Sequence, residues 1–240
     1  MSWLVEHHSR KAARILDSTR ELVLGHGAHK ITVTEITRAA GVGKGTVYLY
    51  WPSKEHLILG LFARDLLAFL DEIIGRITAD PAAVLPRRLA PLLIHTALGL
   101  PLAHRLHAGD ADLIRLLTQQ AADRELFART KPSALCDAVM PILHRNGLIR
   151  HDRPLSSQAY AMHAVLAGFG ATMADPAATA PLGADHPEAV LADTIALLLE
   201  PSVAPDEPAI AAAAEATIAI FRETRDAVLD LITRSQTLGQ

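Results

Sequence analysis

The residues able to do chemistry are few and poorly spaced for catalysis. Of twelve histidines, His104 and His107 stand three apart with Asp110 and Asp112 following, a loose approach to metal-ligand spacing. No His-Glu-x-x-His, phosphate-cradling glycine loop or Gly-x-Ser-x-Gly elbow occurs. Gly168-Phe169-Gly170 lies inside a helical pattern and lacks a third glycine. The one cysteine, Cys136, excludes an intrachain disulfide framework and an all-cysteine zinc site, and beside Leu135 it reads as a small core residue. These residues predict neither catalysis nor a bound metal or cofactor. A metal-dependent helical enzyme stays only as the remote alternative, which bound metal in purified protein would revive.

A second group is denser. Lys44, Gly45, Thr46, Tyr48, Leu49, Tyr50 and Lys54 crowd one short stretch, and three of the ten aromatics (Tyr48, Tyr50, Trp51) fall within four positions. The elements that would hold these residues are helices. Ala12-Ala13, Ile15-Leu16 and Leu22-Val23 recur at amphipathic spacing from about Ser9 to Leu24, ahead of Gly25 and Gly27. Ile31-Thr32-Val33-Thr34 alternates like a strand, yet Thr32-x-x-Glu35 is a capping box, and the helical face continues through Ile36 and Ala39-Ala40 to Gly41. After Gly41-Val42-Gly43, Lys44 to Tyr50 has room for two turns. Trp51-Pro52-Ser53 breaks it, and Ser53 caps a long helix to about Ile77.

Helix, glycine turn and short helix make a helix-turn-helix, an arrangement that a plain helical corner also produces. With Val47 inward at about 100° per residue, Trp51 and Gly43 share its side, while Gly45 and Leu49 point away with Thr46 and Tyr48 on their flanks. An outward glycine costs about 1 kcal/mol of helix propensity against alanine, and close approach to a DNA groove is one reason to accept that.

Composition separates this head from the rest. Residues 1–60 hold eight Lys/Arg against five Asp/Glu, residues 61–240 fifteen against twenty-one, and all fourteen prolines fall between Pro52 and Pro208. A charge split alone is also what a solvated surface produces; with the proline and aromatic biases it marks a small basic head on a larger acidic, apolar body. Half the residues are hydrophobic, enough for a sizeable core built mostly from Leu, Ala, Ile and Val. The opening Met1-Ser2-Trp3-Leu4-Val5-Glu6 predicts no secretory leader, and Leu89–Ala103, interrupted by Pro91, His95 and Pro101, is too short to span a bilayer. A cytoplasmic protein with no membrane partner is expected.

The run Ile31 to Ile36, followed by Ala39-Ala40-Gly41-Val42-Gly43-Lys44-Gly45-Thr46-Val47-Tyr48-Leu49-Tyr50-Trp51-Pro52-Ser53-Lys54-Glu55, resembles the DNA-binding head of the tetracycline-repressor (TetR) family. The resemblance covers about residues 9–69, with the helix-turn-helix at about 32–51, and leaves 70–240 as an effector-binding and dimerisation body. Gly43 stands where the family usually has a serine cap, and Tyr50-Trp51 replaces the commoner His-Phe pair. The resemblance implies that Lys44, Thr46 and Leu49 read base edges while Thr34, Tyr48, Tyr50 and Lys54 hold phosphates. Gly45 would let the helix approach. It also implies a homodimer on an inverted-repeat duplex, with a small-molecule effector and no enzymatic activity.

The body reads as further helices: Pro86–Leu100, Asp110–Gln120, Pro132–Asn146, Ser156–Met173, Glu188–Leu199 and, after a Pro-rich break, a last one to about Thr233. An all-α fold follows. Ala161, Ala164, Gly168 and Ala171 form a small-residue stripe suited to a helix interface or to tight internal packing. Because the family's dimers usually form from the penultimate helices of each body, the resemblance implies that these residues, with Leu191 and Ile195, make the dimer seam, which the last helix could share. A pocket lined by Met140, Phe169 and Met173, with His95, His144 or His163 as polar anchors, suits a flexible aliphatic or acyl-type ligand; these residues could also fill a closed core. The expected function is a ligand-released repressor. The alternative is the same head on a regulator that answers a protein partner or activates transcription.

Overall fold

A computed structural model describes residues 4–100, 102, 115, 132–175, 177, 183 and 185–236. The expected helix over Asp110–Gln120 and the His104, His107, Asp110 and Asp112 group lie outside the described residues. The fold is all-α: α1 (Val5–His8), α2 (Arg10–His26), α3 (Val33–Ala40), α4 (Lys44–Tyr50), α5 (Lys54–Ala79), a 3-10 turn (Pro81–Val84), α6 (Pro86–Leu98), α7 (Pro132–Arg145), α8 (Leu155–Ala174), α9 (Pro187–Leu199) and α10 (Glu207–Arg234). No strand occurs among the described residues.

The chain divides into two compact units, with described parts 4–68, 102, 115 and 225–236 in the first and 69–100, 132–175, 177, 183 and 185–224 in the second. The expected body of 70–240 therefore gives up residues 102, 115 and 225–236 to the first unit. Burial explains this: Leu231, Ile232, Ser235 and Gln236 are all buried, and a Cβ on Gly60 would lie 2.6 Å from Ser235 Oγ.

In the first unit the sequence's punctuation sets the helices. Ser9 Oγ accepts the Ala12 N–H at 3.2 Å and starts α2, whose Ala12, Ile15, Leu16, Thr19 and Val23 are buried at helical spacing. Thr32 and Glu35 form the reciprocal capping box of α3, and Gly41 at φ 62° ends it in the left-handed conformation. Ser53 Oγ accepts the His56 N–H at the start of α5. Two ion pairs lock the bundle. Arg64 forks onto both oxygens of Glu6 at 2.5 and 2.7 Å, and Asp65, itself buried, takes Arg20 at 2.5 Å and the Leu102 N–H at 3.2 Å. Burial works to raise the Glu6 pKa, but the hydrogen bonds and charge of Arg64 outweigh it and hold the carboxyl below its ordinary value.

In the second unit α6 packs most extensively on α9, and α8 packs on α7, α9 and α6. On α8, a Cβ added at Gly170 would meet Ile94 Cδ1 of α6 at 3.4 Å. Gly147, at φ 70°, stops α7, and the Leu148 N–H returns to the Leu143 carbonyl. Arg87 pairs with Glu200, tying the start of α6 to the end of α9. Cys136 is buried, and that burial pushes its thiol up to about 11, so it stays protonated at neutral pH.

Candidate nucleic-acid interface

The seven-residue helix α4 buries Val47 and Tyr50, with Trp51 fully enclosed just beyond its end. Everything else on it faces outward to some degree. Lys44 and Gly45 are exposed, Thr46 is half-buried, and Tyr48 and Leu49 are 47% and 52% exposed. Two large apolar side chains left in water on so short a helix mark a contact surface. A Cβ on Gly45 would meet nothing within 4 Å, so no contact inside the protein requires glycine there. What it leaves clear is the space above the helix, as a closely approaching groove demands. Thr34 is exposed on the first turn of α3.

Two of the expected phosphate ligands have other work. Tyr50 is buried, and its hydroxyl lies 2.7 Å from Ser9 Oγ while its ring tilts against Trp51 at 5.7 Å. It pins α4 to the start of α2 and is not an outward phosphate contact. Lys54 donates to the Ile31 carbonyl at 3.0 Å, which steadies the loop entering α3 and leaves its other N–H groups for a second partner.

The Ser9–Tyr50 bond also brings forward residues that the sequence reading missed. Arg10, Lys11 and Arg14 are exposed in the turns of α2 that follow Ser9, and the first turn of that helix carries no acid. Cations at a helix N-terminus oppose the helix dipole, an arrangement that favours a bound anion. In the sequence they looked like the solvated face of any amphipathic helix; the signal was the missing acid.

The expected seam divides between its two helices. On α8, Ala164, Gly168 and Ala171 are exposed, Ala161 is half-buried, and a Cβ on Gly168 would meet nothing within 4 Å. The stripe is therefore not internal packing of the protomer. Leu191 and Ile195 are a different matter. Both are fully buried within the unit and cannot meet a second chain; α9 instead exposes Val190 and Leu197, the latter at 83%. Tyr160 extends the exposed face of α8.

The expected pocket residues also divide. Met140 is buried on α7, and Phe169, Met173 and His163 are half-buried on the adjoining α8, with His163 Nδ1 sealed from solvent and unpartnered among the described residues. His95 is exposed, so it cannot anchor an interior ligand. His144 stacks at 4.0 Å on His151, which is exposed, and so belongs to a surface pair. Among the described residues, no group of three or more His, Cys, Asp or Glu is placed to hold a metal, and no helix is long and apolar enough to cross a membrane.

Residues 15–61 match the model of the bacterial regulatory proteins of the tetR family. The fatty acid metabolism regulator protein of Bacillus subtilis is 33% identical over 63 residues, 26% of this chain and 32% of that protein. An uncharacterized HTH-type transcriptional regulator of Mycobacterium bovis is 30% identical over 131 residues, 48% of this chain and 65% of that one. The chain thus spans less than two thirds of the length of either relative. A tetR family transcription regulator from Shewanella sp. PV-4 superposes with a TM-score of 0.53 at 19% identity, over 80% of this chain and 98% of the other. The fatty acid degradation regulator FadR of Bacillus halodurans gives 0.51 at 19%, over 82% and 98%. At such identity the likeness is one of fold.

Proposed function

We propose that this chain, whose residues 15–61 match the bacterial regulatory proteins of the tetR family, acts as a cytoplasmic homodimeric repressor released from an inverted-repeat operator by a small apolar ligand. The observation that carries the proposal is the outward face of α4, where Gly45 stands in open space between exposed Lys44, Tyr48 and Leu49. Lys44, Thr46 and Leu49 read base edges, Lys44 by hydrogen bonds to guanine and the others by contact with thymine methyls. Thr34, Tyr48 and the remaining donors of Lys54 hold phosphates, joined by Arg10, Lys11 and Arg14 beside the end of α4.

Dimerisation follows from the face that α8 and α9 leave uncovered: Tyr160, Ala164, Gly168, Ala171, Val190 and Leu197 offer a second copy small residues for close approach and large ones to bury. The ligand belongs to the second unit, whose buried side chains are mostly aliphatic. Met140, His163, Phe169 and Met173 are its candidate contacts, and a flexible aliphatic or acyl-type molecule fits such a lining. The Bacillus subtilis relative matches over only 63 residues, so the ligand class rests on this chain's own second unit. Ligand would favour a head spacing that no longer fits two successive major grooves.

Selection from random duplexes, followed by gel shifts, tests the reading. An inverted repeat should emerge, binding should weaken with salt as counterions are released, and a compound that raises the melting temperature should also release the operator. Binding with no preference for an inverted repeat over random DNA would overturn it.

A further inference from the structure

Threonines within helices ordinarily turn the hydroxyl back to the carbonyl one turn earlier. This protein follows the rule repeatedly. Thr19 donates to Ile15 at 2.6 Å, Thr172 to Gly168 at 3.1 Å, Thr194 to Val190 at 2.7 Å, and Thr224 and Thr233 of α10 to Ile220 and Leu229 at 3.0 Å each. Thr217, on the same helix α10, breaks it. Its side chain is 0% exposed, and Oγ1 finds no partner among the described residues, not even the Ala213 carbonyl.

The surroundings sharpen the exception. Ala213, Ala214 and Phe221 are buried with Thr217 on the same stripe of α10. The second unit holds three of the four buried side-chain polar atoms that lack a partner among the described residues: Thr217 Oγ1, His163 Nδ1 and Gln158 Oε1. Gln158 is otherwise engaged, its Nε2 donating to the Arg150 and Arg153 carbonyls at 2.9 and 3.0 Å. A hydroxyl sealed from water and left unpaired is destabilising, and such groups in folded proteins call for a partner from outside the chain.

We propose that the Thr217 hydroxyl is a recognition group for the second unit's ligand and that it takes an uncharged hydrogen-bonding group attached to an aliphatic chain, such as an alcohol or the carbonyl of an ester, thioester or amide. The inference rests on the ligand-released reading above and narrows it. The uncharged character follows from the charges present. α8 carries no Asp, Glu, Lys or Arg from Leu155 to Ala174, and the buried charged residue among those described, Asp65, lies in the first unit. Among the described residues of the second unit no Asp, Glu, Lys or Arg is buried, so an ionised ligand group would meet no buried carboxylate, ammonium or guanidinium there.

The full-length protein is titrated with dodecanol, methyl dodecanoate, dodecanoate and dodecane, in the wild type and in Thr217→Val, Thr217→Ala and Thr217→Ser. Without a probe, Thr217→Val should melt no lower than wild type, because it removes an unpaired hydroxyl while keeping the side chain's shape. It should bind dodecanol and methyl dodecanoate about tenfold more weakly, as loss of one hydrogen bond implies. Thr217→Ala should weaken them likewise, Thr217→Ser should stay near wild type, and dodecane should not distinguish the variants. Equal binding of the polar probes by wild type, Thr217→Val and Thr217→Ala overturns this inference alone. If none of the four probes binds the wild type, the aliphatic-ligand reading fails and takes the inference with it.

Discussion

The two units leave different things uncovered. In the first, the large apolar side chains in water are Tyr48 and Leu49, both on α4 and flanked by Lys44 and Gly45. Among the described residues of the second they are Tyr160, Val190, Leu197 and Val203, and the exposed positions of α8 from Ala164 to Ala171 are alanine and glycine. A surface mixing rings with cations and hydroxyls suits a charged polymer with readable edges. A surface of bare aliphatics and small residues suits a second folded chain. One protein thus carries two unfinished surfaces whose chemistry is not interchangeable, and each can be damaged without touching the other.

The largest effect should come from the aliphatic surface. Leu197→Glu buries nothing in the protomer and should leave the circular dichroism unchanged, while sedimentation shows monomer. Operator affinity should then fall on the order of 10³-fold or more, toward non-specific binding, because one half-site remains. A variant that stays dimeric separates the seam from this face.

Next is the clamp inside the first unit. Glu6→Gln should destabilise the protein by about 1.5–3 kcal/mol, as loss of hydrogen bonds to a charged group implies, without altering dimerisation. The pH dependence has a definite sign. Since the folded carboxyl titrates below its ordinary 4.5, its contribution is complete above that value and disappears as acid carries the pH down through 4.5 and then the lower folded value. Glu6→Gln should flatten this limb of the melting-temperature profile, and an unchanged limb would assign the acid sensitivity to another group.

On the DNA-facing surface the effects are of similar or smaller size. Lys44→Ala should cost about 1–3 kcal/mol and relax base preference at one position per half-site. Lys11→Ala should weaken all duplexes alike and lower the salt slope by about one for each phosphate no longer neutralised. If selection experiments show Lys11→Ala changing base preference, the division between reading and holding fails. Smallest is Gly45→Ala. With open space for the methyl, the head should gain about 0.5–1 kcal/mol of stability while operator binding weakens, and stronger binding would mean the groove does not come close.

Legibility followed the same division. Ser9, Thr32 with Glu35, Gly41 and Ser53 act within one turn of themselves, so the caps and the helices they open were readable from adjacent residues. Tyr50 was not, because its partner Ser9 lies forty-one residues away and a tyrosine after a recognition helix is equally at home on phosphate. The existence of α8 and α9 was legible, but not their orientation. Both are apolar on nearly every side, so no periodicity told buried Leu191 and Ile195 from exposed Val190 and Leu197. His95 misled for a related reason, as a polar residue in an apolar run reads equally as an anchor or as the helix's wet edge. The union of residues 225–236 with the first unit left no local mark at all. There Ser235 lies against Gly60, on which a Cβ would stand 2.6 Å from its Oγ, a pairing that no window of neighbouring residues records.

That seat at Gly60 also matters while the chain is being made. Ribosomes add about 5–20 residues per second, so residues 4–68 wait on the order of ten seconds before residue 225 exists. Through that interval the nascent head lacks the segment in which Leu231, Ile232 and Ser235 are buried in the finished unit. The surface they later occupy is open to chaperones or to other nascent chains. The first unit is therefore begun before the second and completed after it, and its full stability arrives only once residues 225–236 have followed the second unit off the ribosome.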